Sequence, residues 1–527
     1  REVKARFGLS DRRFYTHAPI SQLEGVALVN SDVEINIAEE SQLVSSTLLV
    51  GELNDIVNLT RYTPARASMG ESLDGLIFSG HAEVSFSLDQ PIAKQVPADQ
   101  IYISARSSLS GIDLKIEPLD LSLDSISGLI TYDEDGLNSD EISARFWDMP
   151  VLGSIKTDES TDIRLNSEVE MQSLSSWIGD PLMKQLQGGF QFESELSIPL
   201  DNSQPTRYWL RSDSVGISTD LPVPLKKVAE NERPLELLAS ISPGGDSVMD
   251  IVWGEEFNFS VDFNEGGSVA AASFGIASDH PAKEVGKLVG NAALEDLDYL
   301  EWQPLFEGES TSDLPLQPQL NISSQSTWFS GQDIGPITSQ IALNEKDIEI
   351  TFYSQFSEGL FLFEKQNRTR PHVLLVDWLD IALIPGISDS DDDDSSGTDE
   401  KGSDFDPRKL PAMVVDIQLL RKAESEWGKW NFELQPHDLG LSVTNIYATF
   451  AGSTIEAGGS SQIDWGYNGE DHLTEMDLQL SLGDVGEIFE LSGKSAAVSS
   501  ESGSIDLNLG WLGKPWQPTL AQLSGTV

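Results

Sequence analysis

Apolar and polar residues alternate with a period of two along most of this chain. Ile112, Leu114 and Ile116 are separated by Asp113 and Lys115, and after Pro118 the pattern resumes at Leu119, Leu121 and Leu123. Phe190, Phe192, Leu196, Ile198 and Leu200 share one parity, broken only by Ser194. The same holds for Phe257, Phe259, Val261 and Phe263, for Leu478, Leu480 and Leu482, and for Ile505, Leu507, Leu509 and Trp511. Side chains two apart on a strand point to the same face, so each run predicts an amphipathic strand with one apolar side. Gly, Asp, Asn and Ser between the runs predict turns, and the series predicts a mainly β, antiparallel fold. Helical spacing is confined to 173–186, 281–300 and 484–491. The second of these carries Val285, Leu288, Val289, Ala292 and Ala293, although Gly286 and Gly290 weaken it.

Two strand–turn–strand stretches suggest a loose internal repeat: Ser127 to Phe146 through Gly136-Leu137, and Gly440 to Phe450 followed by Ile455. The run Val373-Leu-Leu-Val-Asp-Trp-Leu-Asp-Ile-Ala-Leu-Ile384 is the most apolar, but Asp377 and Asp380 interrupt it and it falls short of the roughly 20 residues of a membrane span. It reads as strand. The chain starts at Arg1 with no signal-peptide pattern, so the expectation is a soluble segment of a larger protein, any anchor lying outside it.

Composition narrows the function more than it specifies it. With 86 acidic and 33 basic residues the formal net charge is −53, which repels nucleic acid phosphates and anionic lipid headgroups. The plain reading of that charge is a solubilising coat. There is no cysteine, which removes thiol catalysis, disulfides and cysteine zinc sites. The six histidines are scattered, and no H-E-x-x-H, G-x-S-x-G, P-loop or dinucleotide-binding pattern occurs. No catalytic residue, cofactor or metal site is therefore expected. The acidic run Asp391-Asp-Asp-Asp394 within 388–406 reads as a disordered loop; an EF-hand alignment would put Ser403 where a bidentate Glu is needed. Trp427 and Trp430 around Lys429, and Trp511 and Trp516 around Lys514, read as packing residues before carbohydrate or membrane-interface contacts.

Two stretches carry a family resemblance. One is Gly216-Ile-Ser-Thr-Asp-Leu-Pro-Val-Pro-Leu225 with Lys226, Ala229, Glu230 and Pro234-Leu235. The other is Leu480-Ser-Leu-Gly-Asp-Val-Gly486, then Gly503, Leu507, Leu509, Trp511, Gly513-Lys-Pro-Trp516, Leu520 and Leu523-Ser-Gly525. Both resemble the YhdP-type AsmA-like proteins. The resemblance implies an envelope protein of Gram-negative bacteria, anchored in the inner membrane by an N-terminal helix. It further implies a long twisted β-trough across the periplasm that moves phospholipid towards the outer membrane. On that reading the chain is a middle-to-late segment, and 388–406 is a local insertion.

The expected fold is then an elongated, twisted antiparallel sheet curled into a hydrophobic groove, with a few short helices. Its parts would be groove segments at 1–205, 206–387 and 407–527, separated by the acidic loop 388–406. About 30 strands at roughly 4.8 Å spacing would make a rod on the order of 145 Å. The lipid-binding candidates are Ile112, Leu114, Ile116, Phe190, Phe192, Leu196, Ile198, Phe257, Phe259, Val261, Phe263, Leu478, Leu480, Leu482, Ile505, Leu507 and Leu509. The partners would be phospholipid acyl chains, the inner-membrane anchor and the outer membrane or its proteins, with no nucleic acid. The alternatives are a structural or adhesive β-repeat protein with a filled core and a carbohydrate-active β fold with paired carboxylates in a cleft.

Overall fold

A computed structural model describes residues 5–526 except 39–40, 61–75, 94–95, 97–99, 117–120, 147–148, 174–184, 202, 299–300, 303–315, 330–331, 344–346, 365–370, 385–405, 457–459, 470, 492–494, 496–498 and 517–523. The fold is mainly β, 68% strand and 6% helix, as the alternation predicts, and is of the groove type that the resemblance implies. Two compact units divide it: one holds 1–221 and 225–270, the other 222–224 and 271–527.

The first unit is a ladder that follows chain order. From Arg6–Ser10 to Phe257–Phe263 each main strand pairs antiparallel with the one before it. Short connections favour this order, because an antiparallel neighbour can be reached through a tight turn. The turn Asp11–Arg12, with both residues at positive φ (45° and 68°), is of that kind. Leu76–Ser79 stands outside the order, pairing with the end of Tyr102–Ile116. Leu186–Gln187 forms a separate ribbon with Ser218–Thr219.

The second unit departs from the antiparallel expectation at two places. Val269–Ile276, Lys287–Asp298 and Gln317–Phe329 run parallel to one another. His372–Asp380 runs parallel to Met413–Ile417. A parallel neighbour requires a crossover of about a dozen residues, and these pairs are joined by the longer connections 277–286, 299–316 and 381–412. The acidic run lies in the last of them and, up to residue 405, outside the described residues. From Ile337–Leu343 to His372–Asp380, and from Lys429–His437 to Ser524–Thr526, pairing is antiparallel again.

The helical expectations fare unevenly. Helix Val485–Leu491 forms as expected. The segment 281–300 is instead the strand Lys287–Asp298. There Ala292 and Leu294 are buried while Ala293 and Glu295 are exposed, a period of two, and Val285 stands outside the strand at 89% exposure. A β-carbon on Gly290 would run into the Phe274 ring of the parallel neighbour, so the glycine that weakens a helix serves close strand packing. Of 173–186 most lies outside the described residues, and Leu186 begins a short strand. Helix Leu53–Thr60 is an element the sequence reading missed. Both stretches of the internal repeat are strand–turn–strand units, but they differ in detail: 127–146 spans a hairpin, whereas Gly440–Phe450 is one strand bent at Asn445 (φ 53°) that turns back into the short strand Ser453–Ile455. The run from Val373 is strand up to Asp380, as expected, but Ile381–Leu383 forms a short 3-10 helix capped by Asp380. Among the described residues no helix is long and apolar enough to cross a membrane.

Candidate functional site

Strand register turns the separate apolar runs into continuous rows. In the first unit one row passes from Ile155 to Ile163, Leu196, Tyr208, Ala239, Met249 and Val261, each residue opposite the next. A second passes through Leu165, Ser194, Leu210, Leu237, Ile251 and Phe259. Phe192 and Ile198 flank these rows opposite Ser167 and Thr161, and Phe190 lies opposite Val169. Phe257 and Phe263 complete the same side of the last strand, opposite Trp253 and Ser247. Ile112 faces Ile126 and Leu114 faces Leu123. Ile112 and Leu114 share a cluster with Ile142 and Ala144, which ties them to this face. Ile116 pairs with Leu121, and its side chain lies outside the described residues.

The second unit repeats the arrangement. Leu478 faces Leu507, Leu480 faces Ile505, Leu509 faces Met476, and Leu482 lies opposite Gly503. Leu480 also faces Ile455, and with Leu478 it packs on Ile446, Ala448 and Phe450. The sequence reading missed the larger part of this face, the row Leu320, Ile341, Ile350, Phe361, Leu374, Val415 and Phe432. Its signal was present: Ile337, Ile341 and Leu343, and then Ile348, Ile350 and Phe352, alternate in the same way.

Burial separates this face from an ordinary core. Leu196, Ile198, Phe257, Phe259, Phe263, Leu480, Ile505 and Leu507 are only half-buried, screened by lateral neighbours. In a β-sandwich, residues on the inner faces are closed off by a second sheet about 10 Å away. Ile112, Phe190, Val261 and Leu482 are the candidates that are buried. For two of these the cover is plain. Leu53 and Ile56 of helix Leu53–Thr60 pack with Ile112, and Ile217 packs with Phe190.

The opposite face carries ion pairs among apolar residues such as Leu238, Val252, Leu360 and Leu375. Arg164 pairs with Glu195 (2.5 Å), Arg211 with Glu236 (3.2 Å) and Arg13 with Glu34 (3.5 Å). The Glu195 carboxylate raises the pKa of the Arg164 guanidinium above its ordinary value. On the apolar face the ionisable groups behave differently. Burial raises the Tyr208 phenol and lowers the His372 imidazole, which lies 4.5 Å from the Phe363 ring and 5.7 Å from that of Phe361. Both shifts favour the neutral form.

The tryptophans take packing positions. Trp430 stacks on Phe450 at 5.6 Å, and its indole donates to Trp427 O (2.7 Å). Trp511 is buried and donates to Lys514 O (3.0 Å), while Trp516 meets Trp465 edge-on at 5.2 Å. At the end of the acidic run Asp406 holds the Arg408 guanidinium with two bonds of 2.8 Å, and Arg408 lies over the Tyr467 ring at 5.1 Å. Among the described residues no three His, Asp or Glu side chains gather as metal ligands. Chemically, each apolar face can cover hydrocarbon, and its half-buried side chains offer area without deep polar contacts.

Comparison with known proteins agrees with this geometry. The family model described as YhdP protein matches residues 1–527. The intermembrane phospholipid transporter YhdP of Escherichia coli K12 is 21% identical over 489 residues, an alignment covering 88% of this chain and 37% of that protein. No solved structure matches the chain.

Proposed function

The chain belongs to the YhdP family, and we propose that its apolar strand faces form a lipid-conducting groove for phospholipid moving between membranes. The observation that carries this reading is the half-burial of most residues in the rows from Ile155 to Val261 and from Leu320 to Phe432. A phospholipid leaving a bilayer exposes some 30 methylenes at about 0.8 kcal/mol each, a barrier of roughly 20 kcal/mol or more. A continuous hydrocarbon-covering face lowers that barrier at every step, and its lack of specific pockets lets the chains slide. Water would otherwise bear a large exposed apolar surface. The name of the Escherichia coli relative supports the same cargo. In the finer form of this reading the protein is periplasmic and anchored to the inner membrane outside this segment. It delivers lipid to the outer membrane or its proteins, and no reaction is catalysed.

Purified chain, extracted with organic solvent and analysed by mass spectrometry, is expected to release phospholipid. Extracts free of phospholipid from preparations made without stripping detergents would contradict the reading. The competing reading, a β-repeat protein with a filled core, requires Leu196, Phe259 and Leu480 to be fully covered, and they are half-buried.

A further inference from the structure

We propose that in the first unit phospholipid headgroups project over one rim of the groove only, the rim made by the short turns 134–135, 158–159 and 242–246. This rests on the lipid-conducting reading and adds the orientation of the lipid within it.

Antiparallel order sends alternate connections to opposite rims. Among the described residues one rim receives the turns 24–25 and 254–256 and the longer stretches beginning at 53, 171 and 213; the other receives the turns 11–12, 134–135, 158–159 and 242–246 and the connections beginning at 37, 92 and 200. Elements from the first set fold over the apolar face. Leu53 and Ile56 pack with Val84, Leu109 and Ile112. Further along the ladder Ile217 packs with Val169 and Phe190. The segment carrying Ile217 is pinned: Lys227 Nζ donates to Ser214 O (2.8 Å) and Ile217 O (2.9 Å). The Trp253 indole donates to Ser214 Oγ (3.1 Å), and the Arg233 guanidinium lies 4.7 Å over the Trp253 ring and 3.3 Å from Glu256. These contacts make a wall.

Burial falls away from that wall. Along His81–Pro91, Ala82 and Val84 are buried while Phe86 and Leu88 are half-buried. Along Gly189–Pro199, Phe190 is buried and Phe192, Leu196 and Ile198 are half-buried. Ile103 on Tyr102–Ile116 and Val261 on Phe257–Phe263, both buried towards the turn rim, are exceptions. A charged headgroup forced beneath the wall would lose its hydration, and the cations there, Lys227 and Arg233, are already engaged by Ser214 O, Ile217 O and Glu256. At the turn rim it keeps its water while the acyl chains lie on the face. The wall therefore sets which way the lipid faces.

The chain has no native cysteine, so a single introduced thiol is the sole reactive one. Asp246→Cys places it at the turn rim, and Val228→Cys places it on the outer side of the wall, at a position 51% exposed. The full chain would be loaded with phospholipid carrying a maleimide on its headgroup, and labelling normalised to that by a water-soluble maleimide. The expected result is labelling of Asp246→Cys over Val228→Cys by about tenfold or more. A phospholipid with a diazirine on its acyl chain provides the second readout. Acyl adducts on the first unit together with equal thiol labelling at both rims, or more at the wall, would overturn the rim assignment alone. Absence of any acyl adduct would overturn the lipid-conducting reading and this inference with it.

Discussion

At the residue scale the apolar parity is the most local information in the chain, and it proved the most legible. Phe190, Phe192, Leu196 and Ile198 share a face because a strand repeats every two residues, whatever its neighbours do. What parity cannot tell is whether a second layer covers that face. Phe190 and Leu196 look alike in sequence, yet one is closed off under Ile217 and the other is half-open. Lys227 carries no signal in the sequence, because a buried ammonium held by two carbonyls has no local signature. Replacing it by Met should remove the Lys227 donor from Ile217 O and leave Ser214 O with the Ile217 N–H alone, costing about 1–3 kcal/mol. Urea unfolding of Lys227→Met against the native chain would measure this, and an unchanged midpoint would contradict the pinned-wall description. His372 gives a pH-dependent prediction. Burial lowers its pKa below 6.5, so the unfolded chain takes up a proton first as the pH falls. Its contribution to stability is complete above the unfolded value and shrinks as the pH falls through that value towards the lower folded one. His372→Phe should therefore lose less melting temperature than the native chain between about pH 7.5 and pH 5.5. A steeper loss in the variant would contradict this.

At the element scale the sequence reading failed where two periods compete. Val285, Leu288, Val289, Ala292 and Ala293 satisfy helical spacing, but Lys287–Asp298 is a strand held between parallel neighbours on both sides. Such a strand is set by non-local pairing, and the decisive contact, Gly290 against the Phe274 ring, joins residues from two strands. Helix Leu53–Thr60 was legible in principle: Leu53, Ile56 and Val57 lie on one side, and Asp55 sits in the first turn. Its shortness and its place directly after strand Gln42–Glu52 hid it. The parallel crossovers had no signal beyond the length of their connections. The two faces of one strand ladder give a functional prediction. Leu196→Arg would put a charge on the half-buried apolar face, whereas Leu238→Arg would put one on the opposite face, at a position already 49% exposed. An unpaired charge on a hydrocarbon-covering surface is costly. Co-purified phospholipid should accordingly fall several-fold with Leu196→Arg and stay near the native amount with Leu238→Arg. Equal retention by both variants, each confirmed folded by circular dichroism, would separate the apolar rows from lipid binding.

At the scale of the whole molecule the alternation and the two resembling stretches led to the YhdP family, and the family model covers the full chain. The second stretch reaches its fold position at the paired strands His472–Leu482 and Gly503–Leu512, and the first at the wall around Ser214, Ile217 and Lys227. The chain spans 37% of the length of the Escherichia coli relative, and phospholipid transport is the function proposed for this chain. Its central requirement can be tested within this segment. A photoreactive amino acid would be placed at Phe259 and Leu480 on the apolar faces and at Leu238 and Leu375 on the opposite ones. After irradiation in cells, adducts would be identified by mass spectrometry. Phospholipid adducts at Phe259 and Leu480, with none at Leu238 and Leu375, are the predicted result. Adducts distributed equally over both faces, or absent from Phe259 and Leu480, would contradict the account.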